Sequence, residues 1–153
     1  MTLRANYFGL APKAMQILMD QENYLREQFS ASETVTIMVW ELVKLRVSQI
    51  NQCAFCIDMH SKDALSQGET QERIIGLSAW RDMPLYSETE VAVLDWAEHL
   101  TLGKQVDDMS YQKVAQVLGE QAIVDLTIAI NAINSWNQIA KTFKPEVGSY
   151  KTQ

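Results

Sequence analysis

Residues 41–60 read Glu41-Leu-Val-Lys-Leu-Arg-Val-Ser-Gln-Ile-Asn-Gln-Cys53-Ala-Phe-Cys56-Ile-Asp-Met-His60. They hold both cysteines of the 153-residue chain and one of its two histidines. Cys53 and Cys56 form a Cys-x-x-Cys pair, His60 follows Cys56 by four residues, and Glu41 precedes Cys53 by twelve. The first half of the stretch belongs to an apolar run, Val35, Met38, Val39, Leu42, Val43, Leu45, Val47 and Ile50, whose length and spacing predict a helix over 33–50. If Cys56 to His60 is also helical, thiol and imidazole share one face about one turn apart. Glu41 can then fold back onto them from the preceding helix.

Working outward, Met15, Leu18, Met19, Tyr24 and Leu25 predict a helix over 13–29, with Pro12 suited to its first turn. Ser30 or Ser32 offers a cap for 33–50. Asn51-Gln52 breaks that run and caps a helix over 53–67, which Gly68 closes. Cys53 then lies in a first turn, where free N–H groups and the helix dipole favour thiolate over thiol.

Further helices are expected over 71–80, 88–101, 111–118 and 120–143. Ser87 with Glu90 forms a capping box for the first of the last three, Ser110 caps the next, and Gly119 closes it. Pro145 ends the last helix and leaves a polar, mobile tail over 145–153. No stretch alternates long enough for a sheet. The expected fold is all-α, a bundle of about seven helices in a single domain, 1–153. Helix 33–50 is apolar over much of its circumference, so it lies inside the bundle or under another subunit.

Composition narrows the function. The net charge of −6 argues against nucleic acid and anionic membrane surfaces. Glu41, Lys44 and Arg46 interrupt the best apolar run, so no membrane span is expected. The N-terminus lacks an apolar signal region, and the expected location is cytoplasmic. In that compartment a Cys-x-x-Cys pair points to redox, catalytic or metal chemistry. A loop this short removes little unfolded-chain entropy, so stability is a poor reason for it. A thiolate can attack a peroxide and become a sulfenic acid, and a neighbouring thiol can condense with it before further oxidation. The residues alone leave the order open: the helix start favours Cys53 as attacker, the relation to His60 favours Cys56. His60 is a candidate proton acceptor. Glu41, flanked by apolar residues, is expected to be partly buried with a raised proton affinity. Its bland alternative is a surface carboxylate paired with Lys44.

The spacing Glu41, eleven residues, Cys53-x-x-Cys56, three residues, His60 resembles the core motif of AhpD-type alkylhydroperoxidases in the carboxymuconolactone decarboxylase-like superfamily. The likeness is strong over about 35–80 and continues more weakly to residues 131–137. It implies that Cys56 attacks peroxide, Cys53 resolves, and Glu41 and His60 relay protons. It implies hydrogen peroxide or organic hydroperoxides as substrates and a dithiol reductant, a lipoylated or thioredoxin-like protein, as partner. It also implies no metal or other cofactor, and trimers or hexamers. One position departs from the pattern: the best-known members carry a second histidine just before the second cysteine. Phe55 stands there instead and is expected to wall a hydrophobic pocket.

Two other functions compete. Cys53, Cys56 and His60, with Glu41 or His99, could ligate a metal. A non-enzymatic oligomer could sense redox state through the pair. His99 otherwise reads as a helix-end residue. Trp40, Trp80, Trp96 and Trp136 read as core or interface anchors, and Asn131, Asn134 and Asn137 as an inter-helix hydrogen-bonding ladder.

Overall fold

The computed structural model of the chain describes residues 3–152. Eight α-helices run in order: α1 (Tyr7–Leu10), α2 (Pro12–Ala31), α3 (Ile37–Ile50), α4 (Ala54–Ser66), α5 (Gln71–Gly76), α6 (Glu88–Thr101), α7 (Asp108–Leu118) and α8 (Glu120–Phe143). A 3-10 segment, Leu77–Asp82, follows α5. The fold is all-α, and the described residues contain no strand.

Where the boundaries differ from the expected ones, local hydrogen bonding explains the difference. The short α1 was not anticipated; the Asn6 side chain caps it by accepting from Gly9 N–H. Thr36, not Ser30 or Ser32, caps α3. Ser32 Oγ instead accepts from the N–H groups of Thr34 and Val35 and makes a turn before the helix. Asp107 caps α7 and engages both the N–H and the hydroxyl of Ser110, the expected cap. The expected helix over 71–80 breaks at Gly76 into the 3-10 segment, with Ala79 outside helical geometry. The capping box of Ser87 and Glu90 is present as expected.

α3 is the central strut. Nine of its fourteen residues are buried, Glu41, Lys44 and Ser48 among them. It packs on α4, α6 and α8, so a single chain covers an all-round apolar helix. Val39, Trp40, Val43 and Val47 face a core with Phe29, Trp96, Leu126 and Ile130, whereas Leu42 and Leu45 meet Leu77, Trp80 and Leu94. Burial of each such side chain contributes about 1.5–3 kcal/mol. Two sides of α3 are thus committed to packing, and the polar side of its N-terminal half is left to face α4.

The tail meets α4 at Tyr150: Lys62 Nζ donates to the Tyr150 carbonyl at 3.1 Å, and the Tyr150 hydroxyl donates to Asp63 Oδ1 at 2.8 Å. These contacts tie residues near the C-terminus to α4. Their polar groups gain fixed partners over a helix that would otherwise be open there.

Candidate active site

The corner between α3 and α4 sets the cysteines. α3 ends at Ile50 with Asn51 as its C-cap, and Gln52 takes a left-handed conformation, φ 55°, that turns the chain into α4. A residue with a Cβ is strained there by about 1–2 kcal/mol, so the corner needs outside support. α8 supplies it. Asn51 Nδ2 donates to Asn134 Oδ1 and Asn137 Oδ1 at 2.8 and 2.9 Å. Asn137 Nδ2 donates to Ser48 Oγ, and the Ser48 hydroxyl donates to the Lys44 carbonyl. Two members of the expected asparagine ladder therefore clamp this corner within one chain, while Asn131 is exposed.

Cys53 is the cap residue of α4 rather than a member of its first turn, and its Sγ accepts from Cys56 N–H at 3.4 Å. Cys53 and Cys56 are joined by a disulfide. Both are buried. Only Cys56 lines the cavity described next.

One turn further along α4, His60 Nδ1 lies 3.2 Å from Glu41 Oε2. The other oxygen, Oε1, accepts from Lys44 Nζ at 2.6 Å. All three side chains are at most 7% exposed, so this is a buried ion pair with an imidazole against it rather than a surface pair. The expectation of a raised Glu41 pKa is overturned. Burial does push it up, but the His60 hydrogen bond and the Lys44 charge outweigh burial and hold it below the ordinary 4.5. Glu41 is therefore a carboxylate that only accepts. Beside an acceptor-only carboxylate, a hydrogen bond at Nδ1 requires the ring proton on that nitrogen, which leaves Nε2 with the lone pair.

A cavity of about 340 Å³ opens beside this triad. Lys44, Cys56 and His60 form its polar wall, together with Asp63 and Tyr150. Phe55, Met59, Phe8, Met19, Trp136 and Ile139 make the remainder largely apolar. Burial, then the Asp63 hydrogen bond, pushes the Tyr150 hydroxyl up to about 12.

Lys44, Asp63 and Tyr150 are the members that the motif did not announce. The signal for Lys44 was a lysine inside an apolar run, three residues from Glu41. Tyr150 carried no local signal. His99 stays apart, at the end of α6, where it stacks on Trp96 and its Nε2–H donates to the Gln105 carbonyl. Glu41, His60 and Asp63 each offer an atom within 4.8 Å of the others, the geometry of a cation site. Both Glu41 oxygens already hold internal donors, and Asp63 accepts from Tyr150, so the cluster is satisfied by the protein's own groups.

Residues 39–99 match the carboxymuconolactone decarboxylase family. The uncharacterized protein YdfG of Bacillus subtilis is 46% identical over 142 residues, 92% of this chain and 93% of the relative. A solved structure from Agrobacterium tumefaciens, a protein of unknown function given as a candidate AhpD antioxidant defence protein, superposes with a TM-score of 0.86 at 36% identity. That match covers 97% of this chain and 100% of the other. The chain belongs to the carboxymuconolactone decarboxylase family, in its AhpD-type branch. An uncharacterized peroxidase-related protein from Silicibacter has the same fold, with a TM-score of 0.80 over 93% of this chain and 74% of that one, at 16% identity. The AhpD-type family and the Cys53–Cys56 pair fit a thiol peroxidase. No helix among the described residues is long and apolar enough to cross a membrane.

Proposed function

We propose that the protein is a thiol-dependent peroxidase in which Cys56 attacks, Cys53 resolves, and His60 and Glu41 handle protons. The observation that carries this reading is the disposition of the sulfurs: Cys56 lines a cavity beside His60, and Cys53, disulfide-bonded to it, lies behind.

In the reduced enzyme His60 Nε2 takes the Cys56 proton, and the ionised Glu41 stabilises the imidazolium through Nδ1–H. The Cys56 thiolate attacks the terminal peroxide oxygen. The O–O bond breaks, and the departing alkoxide takes the proton back from His60 to leave as an alcohol. Cys56 is now a sulfenic acid. Cys53 attacks its sulfur, water leaves, and the disulfide forms. An external dithiol, a lipoylated or thioredoxin-like protein, reduces the disulfide by exchange and is itself oxidised. The net reaction converts a hydroperoxide and a dithiol into an alcohol, water and a disulfide.

The apolar cavity wall, with Phe55 in it, suits organic hydroperoxides better than hydrogen peroxide, which needs no such surface. The protein works in the cytoplasm as a homo-oligomer, a trimer or hexamer. Large apolar side chains left exposed, Leu10, Ile17, Ile75 and Met109, support assembly.

Peroxide consumption with a dithiol reductant tests the reading. Cys56→Ser is expected to abolish turnover, and Cys53→Ser to allow one oxidation and then stall. Unimpaired turnover in both variants would remove the proposal.

A further inference from the structure

Lys44 is the charged group in direct contact with Glu41 to which the thiol cycle gives no task. Its side chain is 6% exposed, its ammonium lies 2.6 Å from Glu41 Oε1, and the same ammonium sits 3.8 Å from the centroid of the Trp40 ring. A buried ammonium is costly to desolvate, and apolar residues of similar volume often serve packing as well or better. Packing alone therefore does not account for it.

We propose that Lys44 is a positioning residue that occupies one oxygen of Glu41, keeps that carboxylate charged, and so holds His60 in the tautomer with the proton on Nδ1 and the lone pair on Nε2. The inference rests on reading Cys56 as the attacking thiol, for which that lone pair is the base.

The physical argument is a balance. Glu41 is 4% exposed, and burial by itself drives a carboxyl toward its neutral form. A neutral Glu41 can donate as well as accept. It then no longer dictates which ring nitrogen of His60 carries the proton, and it no longer stabilises the imidazolium. The hydrogen bond from His60 opposes neutralisation only while the tautomer is right, so it cannot establish the tautomer alone. Lys44 can, because an ammonium donates at any physiological pH and never accepts.

The other charged groups do not substitute. Asp63 of α4, 4.0 Å from His60 Nδ1, is negative and takes its hydrogen bond from Tyr150 of the tail. From α2, Glu22 and Arg26 line the same cavity, and Glu22 accepts from Trp136. α6 sets Glu98 against Arg46 on another side of α3, and α8 brings the uncharged Asn137.

The test uses the full-length chain carrying Cys53→Ser, reduced, so that Cys56 is the only thiol. With just two histidines in the sequence, 15N-histidine NMR resolves the His60 ring directly. His60 is expected as the Nδ1–H tautomer, and Lys44→Met is expected to mix the tautomers. Alkylation of Cys56 by iodoacetamide is expected to fall about tenfold in Lys44→Met at the acid end of the profile and to return toward the parent rate as the pH rises and Glu41 ionises again. Lys44→Arg keeps a cation and is expected to retain both the tautomer and the shape of the profile.

An Nε2–H tautomer in the parent overturns the proposal without any Lys44 variant. So does a Lys44→Met protein with an unchanged tautomer, or one slowed by the same factor at every pH, as a purely structural lysine predicts. If Lys44→Met does not fold, Lys44→Arg and the parent tautomer decide. None of these readouts needs peroxide turnover, so failure of the peroxidase reading leaves a separate signature.

Discussion

Two buried carboxylates, Glu41 of α3 and Glu98 of α6 packed against it, meet different partners. Glu41 is 4% exposed and Glu98 is 8% exposed. Burial pushes both upward, and donors outweigh it in both, holding each below 4.5. The donors differ. Glu98 takes Trp80 Nε1–H, Arg46 and Arg81, groups that carry their protons permanently. Glu41 takes Lys44 and His60, and an imidazole, unlike an indole or a guanidinium, can take up and release a proton. Glu98 is packed against indole and guanidinium groups, whereas the Glu41 triad adjoins a cavity that reaches a sulfur. The same electrostatic solution is a clamp in one place and, in the function proposed above, a proton-handling device in the other. Burial and a shifted pKa do not separate them; the presence of a titratable partner beside a cavity does.

The largest expected effect comes from removing that partner. His60→Ala should slow Cys56 alkylation in the reduced protein by about 10²–10⁴-fold, with a small change in melting temperature. A loss of only a fewfold would erase the distinction between the two carboxylates. Glu98→Ala should do the reverse. It strands Arg46 and Trp80 Nε1, so denaturant unfolding should register a loss of about 3–5 kcal/mol, while Cys56 reactivity stays within about twofold. Asn137→Ala unties the corner that both cysteines depend on. A loss of about 1–3 kcal/mol is expected, since Ser48 Oγ loses its donor and Asn51 keeps only Asn134 of its two acceptors.

Acid titration sharpens the comparison further. The folded-state pKa values of Glu41, Glu90, Glu98 and Asp95 all lie below their ordinary values, 4.5 for the glutamates and 3.8 for the aspartate. The native state thus binds fewer protons than the unfolded chain as the pH falls. The stability that these groups contribute is fully present above about pH 5 and drains away as pH drops through the folded values. Melting temperature followed from neutral to acid should be level and then fall, with a shallower fall in Glu98→Ala. The smallest effect is expected from Tyr150→Phe, about 0.5–1.5 kcal/mol or less, since one hydroxyl bond to Asp63 is lost at a partly exposed site.

Much of the architecture could be read in advance because it is locally encoded. The longest helix, Glu120–Phe143, and the capped helix Glu88–Thr101 start and stop where their apolar spacing and end residues indicate. Boundaries shifted where two residues competed for one cap: Thr36 prevailed over Ser32, and Asp107 over Ser110, since the losing hydroxyl found another hydrogen bond. The contacts of Tyr150 had no local signal because their partners, Lys62 and Asp63, lie almost ninety residues earlier in the chain. Glu41 defied it in sign. Apolar neighbours correctly foretold burial, but the paired charges that reverse its effect were only half visible.

By itself the sequence determined the helical class, the thiol pair at a helix start and an imidazole one turn beyond, because each depends on residues within a few positions of one another. Tertiary structure decided that Cys56 rather than Cys53 faces the cavity, that the partners of Glu41 pull its pKa down rather than up, and that Tyr150 lines the same cavity. Those outcomes are differences between burial and the partners that burial brings together. Only the packing of α2, α3, α4, α8 and the tail establishes which partners those are.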